Sequence, residues 1–113
     1  MTGGGEQHKE LIRRLYDEVF SAGRLEVVDE LMSEDYVNHD PPPGAGHSRE
    51  DVQGIAARFQ ERIPNFRAQV ERIIAEDDLV AVQGIASGSD GTAKLKLSEF
   101  FRIENGQIAE RWG

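Results

Sequence analysis

Hydrophobic positions in the first half of the chain recur at the spacing of an α-helix. A first apolar stripe ends before a capping glycine, Gly23, and consists of Leu11, Ile12, Leu15, Tyr16, Val19 and Phe20. A shorter helix is predicted over residues 24–32. A third helix begins after the N-cap Ser48, with Asp51 as its capping-box partner, and ends at Pro64. The prolines and glycines of residues 41–46 predict a loop before it.

The second half alternates between apolar and polar residues, as strands do. Strands are predicted from residue 66 to the low seventies, over 79–87, over 92–104 and over 107–112. The alternation slips near residues 72–74, which predicts a bulge, and turns are predicted at 77–78 and 88–91. Asn105-Gly106 predicts a tight hairpin. The pattern indicates one α+β domain over residues 1–113, with helices on one face of an antiparallel or mixed sheet. Residues 1–6 are predicted to be a disordered lead-in.

The last hairpin places a carboxylate on an apolar strand face. Glu99 shares the inward face of the 92–104 strand with Phe101 and other apolar residues. Counting back from a two-residue turn places Phe101 opposite Glu110 and Glu99 opposite Trp112. We therefore expect these four side chains to form one inward patch.

A carboxyl group in apolar surroundings is the leading candidate for chemistry. Burial disfavours the charged form of a carboxylic acid, and a group tuned in this way exchanges protons near neutral pH. Glu99 is therefore a candidate general acid or base. Two other interpretations stay open: a basic residue or a bulge satisfies this carboxylate, or a one-residue slip places it in water.

Composition and charge narrow the function classes. Thirteen Lys and Arg against 21 Asp and Glu give a net charge of −8, which argues against nucleic-acid and membrane-surface roles. The absence of cysteine excludes disulfides and thiolate zinc sites. The three histidines lack ligand spacing, so no metal site is assigned. With no apolar run of membrane-spanning length and no signal sequence at the start, we expect a soluble cytoplasmic protein.

Three segments resemble the SnoaL-like polyketide cyclase family of the nuclear-transport-factor-2-like superfamily. They are YVNHDP at 36–41, IIAEDDLVAV at 73–82 and EFFRIENGQIAERW at 99–112. The ending is the most specific, because the family typically carries an acidic residue before a Phe-Arg pair. The resemblance implies a cone-shaped α+β barrel around one pocket. It also implies cofactor-free acid–base chemistry on a polyketide-like or related carbonyl compound, such as an aldol-type cyclisation.

The resemblance also implies roles for particular residues. The acid/base aspartate of the family falls on Glu99, and the family's histidine after the first strand falls on His39. Tyr16 matches an aromatic residue of the first helix that often lines the pocket. The chain departs from the family pattern at Arg111, where a histidine is usual, and in residues 83–98, which lack a histidine that true cyclases carry.

The remaining candidates have structural as well as functional interpretations. His39 either binds a substrate oxygen and relays a proton, or anchors the proline-rich loop. Glu110 is either at the pocket rim or a partner for an arginine. The predicted substrate-binding residues are Tyr16, Asn38, Phe59, Phe101, Glu110 and Trp112, of which Phe59 also fits plain core packing.

Phe100 is an apolar residue on the otherwise polar face of its strand, which is typical of a partner surface. The resemblance implies sheet-to-sheet dimers, so we expect a homodimer through the outer sheet face.

Three functional hypotheses follow. The first is an enzyme in which Glu99 is the general base and His39 or a water molecule polarises the carbonyl. The second is a non-catalytic ligand-binding or assembly module, in which an arginine neutralises Glu99 and the cavity is small or filled. The third is a ketosteroid-isomerase-like or hydrolase-like enzyme, which needs a second acid or a hydrogen-bond donor near Glu99.

Overall fold

The helices occupy the first half of the chain, as predicted. The protein is described by a computed structural model, which covers residues 3–88 and 94–113. Helix α1 spans Gly3–Arg14 and continues as a wider π-helical segment, Leu15–Ser21. A 3₁₀ turn, Leu25–Val27, leads into the short helix α2, Val28–Leu31, and α3 spans Arg49–Arg62. At the start of α3 the backbone N–H of Ser48 donates to the Asp51 carboxylate, as the predicted capping box requires, and the Ser48 hydroxyl donates to the same carboxylate.

The strands form one mixed, five-stranded sheet. They are β1 (Met32–Asn38), β2 (Arg67–Glu76), β3 (Leu79–Ser87), β4 (Lys94–Glu104) and β5 (Gln107–Trp112), in the order β1-β5-β4-β3-β2. Strand β1 runs parallel to β5, and the other pairs are antiparallel. The α+β class is confirmed. The predicted barrel is not closed, because the edge strands β1 and β2 do not pair within residues 3–88 and 94–113.

The hydrophobic core lies between the helices and the inner face of the sheet. Its fully buried large side chains include Ile12 of α1, Leu31 of α2, Phe101 of β4 and Ile108 of β5. Burying each such side chain contributes about 1.5–3 kcal/mol to stability, so the apolar stripes hold the helices against the sheet. Of the helices the structure describes, none is long and apolar enough to cross a membrane.

The N-terminal segment differs from expectation. Helix α1 begins at Gly3, so residues 3–6 of the predicted disordered lead-in are helical. Met1 and Thr2 lie outside the described residues, as do most of the predicted 88–91 turn and the start of the predicted 92–104 strand. The predicted bulge in β2 is present, because the pairing with β3 shifts between Val70 and Arg72.

The pairing of the last hairpin is correct near the turn and wrong beyond it. Glu104 pairs with Gln107 and Ile103 with Ile108, as the Asn105-Gly106 turn predicts. The register then shifts by one residue at Ala109, which is buried next to Ile108. A bulge of this kind inserts one residue and turns every later side chain to the opposite face.

Beyond the bulge, Phe101 pairs with Arg111 and Phe100 with Trp112. The predicted pairs Phe101–Glu110 and Glu99–Trp112 are therefore wrong. Arg111 takes the inward position that was predicted for its neighbours.

Candidate active site

A cavity of about 240 Å³ lies between the helices and the inner face of the sheet. Most of its wall is apolar and includes Leu15, Phe20, Val52, Ile55, Phe59, Phe66, Leu97 and Phe101. Its polar groups come from Tyr16, Tyr36, Asn38, Asp40, Glu99 and Arg111. A mostly apolar cavity into which a few polar groups converge is typical of a small-molecule binding site.

Glu99 is held in this cavity by two donors. Its side chain is only 11% exposed. The Tyr16 hydroxyl donates to Oε1 at 2.5 Å, and Nε of Arg111 donates to Oε2 at 2.6 Å. A carboxylate in an apolar wall needs such partners, because an unpaired charge there is costly.

The π-helical segment and a glycine bring Tyr16 to this position. Tyr16 is the second residue of the widened helical turn Leu15–Ser21. A Cβ atom on Gly84 of β3 would lie 2.6 Å from Cε2 of Tyr16, so a glycine is needed for the close approach of the ring. Burial, and then the charge of Glu99, raise the pKa of Tyr16, so its hydroxyl remains a donor over the physiological range.

Arg111 ties Glu99 to the end of β1. Besides its bond to Glu99, the guanidinium donates through one terminal nitrogen to Asn38 Oδ1 at 3.1 Å and to the Asp40 carbonyl at 3.0 Å. The backbone N–H of Asp40 also donates to Asn38 Oδ1, at 3.0 Å. The sequence showed Arg111 only as a departure from the family, and the bulge at Ala109 is what turns it inward.

Tyr36 and Asn38 bring two unused donors to the cavity. Both are buried, with 3% and 4% of their surface exposed. Asn38 Oδ1 accepts two hydrogen bonds, so its amide nitrogen points to the other side, and neither this nitrogen nor the Tyr36 hydroxyl has a partner within the described ranges. Burial raises the pKa of Tyr36, and its hydroxyl therefore stays protonated.

Tyr36 was not among the predicted site residues. It stands two positions before Asn38 on an extended strand, and that spacing places both side chains on the same face. This alternation was the signal that could have identified it.

His39, Glu110 and Trp112 lie away from the cavity, on the outer face of the sheet. Nε2 of His39 lies 2.8 Å from Oε2 of Glu110, and its ring stacks on Trp112 with centroids 5.1 Å apart. Arg102 also donates to Glu110, and this bond, followed by that of His39, lowers the pKa of Glu110. The expectation that these three residues line the pocket is wrong. Asn38 faces inward, so His39, the next residue along the strand, faces outward. The bulge at Ala109 turns the side chains of Glu110 and Trp112 to the outer face as well.

The other predicted residues, Tyr16, Asn38, Phe59 and Phe101, do line the cavity. Phe59 stacks on Phe66 with ring centroids 4.9 Å apart, so it serves both the core and the cavity wall. Within residues 3–88 and 94–113, no three His, Asp or Glu side chains are arranged to hold a metal ion.

Solved structures share this architecture. A proposed polyketide cyclase from Bacillus cereus superposes with a TM-score of 0.83 at 20% identity, over 94% of this chain and 72% of the other. A proposed ketosteroid isomerase from Kribbella flavida gives a TM-score of 0.75 at 21% identity, over 96% and 76%. At such identities the likeness shows the fold alone. IdmH from Streptomyces antibioticus, a proposed polyketide cyclase, gives 0.79 at 29% identity, over 94% and 89%.

The sequence itself matches a family model. The comparison with curated proteins finds no match. The model of the SnoaL-like domain matches residues 12–111, which include α3, strands β1 to β4, β5 as far as Arg111 and every polar group of the cavity. The chain therefore belongs to the SnoaL-like domain family.

Proposed function

We propose that this protein is an acid–base enzyme that acts on a small polyketide-like or related carbonyl compound, with Glu99 as the group that accepts the proton. The observation that carries the proposal is the arrangement of the cavity. It brings the carboxylate of Glu99 together with two donors from buried residues, the Tyr36 hydroxyl and the Asn38 amide, which have no hydrogen-bond partner among residues 3–88 and 94–113. The likeness to IdmH supports the substrate class.

The arrangement fits proton removal next to a carbonyl. Glu99 takes a proton from the carbon beside the carbonyl, and the electron pair of that C–H bond moves to the carbonyl oxygen as an enolate forms. Tyr36 and Asn38 donate hydrogen bonds to this oxygen, where negative charge develops. These donors are already in place before the reaction, so they need not reorganise as the charge develops. This lowers the activation barrier.

Two outcomes of the enolate are consistent with the groups present. In an aldol-type cyclisation the enolate carbon attacks a second carbonyl of the same molecule, a C–C bond forms, and Glu99 returns its proton to the new alkoxide. In an isomerisation the proton returns to a different carbon. Analysis of the product separates these outcomes.

Tyr16 and Arg111 are positioning residues in this scheme. Each holds one oxygen of Glu99, at 2.5 and 2.6 Å, and together they fix the plane of the carboxylate. Arg111 also compensates the charge of Glu99 within a largely apolar wall. They replace His39, which faces outward, as the polar neighbours of the base.

A non-catalytic ligand-binding module is the second candidate. The observation that favours it is the ion pair of Glu99 with Arg111, which is what neutralisation of the carboxylate by an arginine predicts. The cavity of about 240 Å³ is open to a ligand in both cases. Proton transfer must therefore be measured apart from binding.

Exchange of carbon-bound hydrogen for deuterium makes that separation. A panel of small linear and cyclic ketones and diketones is incubated with the protein in heavy water, and NMR follows both exchange and binding. Replacing Glu99 with Gln should slow exchange by about 10²–10⁴-fold while binding persists. Glu61→Gln, on the exposed end of α3, is the matched control and should leave exchange unchanged. Binding without exchange in the unmodified protein would favour the binding module, and an unchanged rate in Glu99→Gln would remove Glu99 from the mechanism.

A further inference from the structure

The cavity follows the inner face of β4 over four successive inward residues, and their exposure falls along the strand. Leu95 keeps 54% of its surface exposed and Leu97 is partly buried, while the Glu99 side chain keeps 11% and Phe101 keeps 1%. Leu95 stands four residues before Glu99, which is about 13 Å on an extended strand. The cavity therefore opens at Leu95 and is closed beyond Glu99.

The π-helical segment runs beside the cavity between the same two levels. Near its start the Tyr16 hydroxyl donates to Glu99. At its last residue the Ser21 hydroxyl donates to the carbonyl of Ala68 at 3.0 Å and accepts from the backbone N–H of Ala68 at 2.9 Å. The segment thus passes from the carboxylate at the closed end to Ala68 at the open end.

Three phenylalanine rings stand at the open end. Phe20 precedes Ser21, and Phe66 lies two residues before Ala68. Phe59 of α3 joins them, with its ring centroid 6.4 Å from that of Phe20 and 4.9 Å from that of Phe66. The cavity is therefore divided into a closed end with the carboxylate and an open end with an aromatic wall.

Two alanines keep space free below these rings. Ala68, Ala86 and Leu95 lie side by side in register on β2, β3 and β4, and both alanines line the cavity with 4% of their surface exposed. An alanine side chain ends at Cβ, so a larger side chain at either position would enter the cavity. Gly84 leaves similar room one inward position along β3, but the Tyr16 ring occupies it. The free space at the open end thus lies over the alanines.

The volume limits what this space can hold. A dry apolar cavity of about 150 Å³ takes one benzene ring, and drug-sized ligands occupy pockets of about 300–1,000 Å³. The cavity of about 240 Å³ lies between these values. It therefore suits a single ring with a short chain, or a linear chain, rather than a system of several fused rings.

We propose that the cavity binds its carbonyl compound end-on, with the carbonyl leading to Glu99 and a slender hydrocarbon part lying over Ala68 and Ala86. The far end of the compound leaves past Leu95 into water. This inference rests on the proposed function, which supplies the carbonyl as the group at the closed end. The opposite orientation would bury hydrocarbon against polar groups and leave them without partners, which is costly.

The two alanines are then the residues that determine which length of substrate is accepted. Each methylene that lies over them is removed from water and tightens binding, and a methylene beyond Leu95 gains nothing. Substituents next to the carbonyl meet the closed end. Substituents at the far end of the compound are tolerated.

Linear methyl ketones from butanone to undecanone test the length of the site. NMR titration of the unmodified protein gives each dissociation constant without any need for turnover. Each added methylene should tighten binding about fourfold while it lies over the alanines. The gain should stop once the tail passes Leu95. A dissociation constant that does not depend on chain length, or no binding of any of these ketones, would overturn the proposal.

Ala86→Leu places a side chain in the space for the tail. It should weaken the binding of nonanone at least about 10-fold, since the tail loses at least two buried methylenes, and leave that of butanone nearly unchanged. Ala81→Leu is the matched control on the outer face of the same strand, opposite Phe100, and should change neither. Ala68→Leu, on β2, repeats the test if Ala86→Leu fails to fold. Equal effects on the two ketones would contradict a site over the alanines.

Two keto acids of equal length test the orientation. One carries its carboxylate next to the ketone, and the other carries it at the far end of the chain. The first carboxylate would lie beside Glu99 at the closed end, where like charges oppose each other, and the second would stand in water past Leu95. The second acid should therefore bind at least about 10-fold tighter. Equal affinities, or the reverse order with Arg111 receiving the carboxylate, would overturn the orientation.

Deuterium exchange in the same samples separates this inference from the proposed function. The expected dependence on length and on carboxylate position, without exchange, would retain the end-on orientation and contradict the acid–base chemistry. Exchange that is equally fast for every ketone, with no dependence of binding on length, would retain the chemistry and overturn the site over the alanines.

Discussion

The Tyr16 hydroxyl donates to Oε1 of Glu99 at 2.5 Å, and this bond joins the first helix to β4 across 83 positions of sequence. Removing it should weaken both the fold and the site. Tyr16→Phe leaves one oxygen of Glu99 without its partner, which costs about 1–3 kcal/mol of unfolding free energy. Urea denaturation measures this loss. An unchanged unfolding midpoint would mean that water replaces the tyrosine without cost.

Tyr36→Phe offers the contrasting case. Its hydroxyl has no partner among the residues that the structure describes, so the substitution breaks no hydrogen bond there and should leave the unfolding free energy nearly unchanged. Deuterium exchange into a ketone substrate should nevertheless slow by about 10²-fold, the usual effect of losing one donor to a developing oxyanion. If exchange persists at the original rate, the Tyr36 hydroxyl does not contact the carbonyl oxygen.

The positions of Tyr36 and Glu99 show what the alternation of residues along a strand can predict. Each faces inward by simple alternation along its own strand, because successive side chains point to opposite sides. The Asn105-Gly106 turn could also be predicted from the local sequence alone, and the first residue pairs of the hairpin follow from it.

Arg111 and Trp112 show where the pattern fails. Their faces depend on one extra residue, Ala109, and a bulge leaves no mark on the alternation of a strand as short as β5. Both Ile108 and Ala109 are apolar, so either one fits an inward position. The contact of Tyr16 with Glu99 likewise needs the tertiary packing of a π-helical turn on Gly84.

The contributions of Arg111 and Glu99 to the unfolding free energy should be strongly coupled, because the two side chains form an ion pair. Arg111→Met leaves a carboxylate without its charge partner, which should lower the unfolding free energy by about 2–3 kcal/mol. This is below the range for fully buried pairs, because the two side chains remain 19% and 11% exposed.

A double-mutant cycle checks that coupling. Adding Glu99→Gln to Arg111→Met removes the unpaired charge, so the double variant should regain part of the lost stability in urea denaturation. Purely additive losses would show that Arg111 acts through its bonds to Asn38 and Asp40 alone.

The two cavity tyrosines should make the fold sensitive to alkali. Burial is the main cause that raises the pKa of both Tyr16 and Tyr36 above the value of about 10 for an unfolded tyrosine. Above that pH the unfolded chain releases protons that the folded protein retains. The stabilisation from each neutral tyrosine is therefore complete below about pH 10 and declines as the pH rises toward the folded value. The slope of the unfolding free energy against pH approaches about 1.4 kcal/mol per pH unit for each tyrosine.

Thermal unfolding between neutral and alkaline pH measures this decline. Tyr36→Phe removes one of the two titrating groups, so it should reduce the slope by the contribution of one tyrosine. The unfolding midpoint at neutral pH should stay nearly unchanged. A slope that is the same in the variant would show that Tyr36 titrates alike in the folded and unfolded chains, and its hydroxyl would then not be buried as a neutral donor.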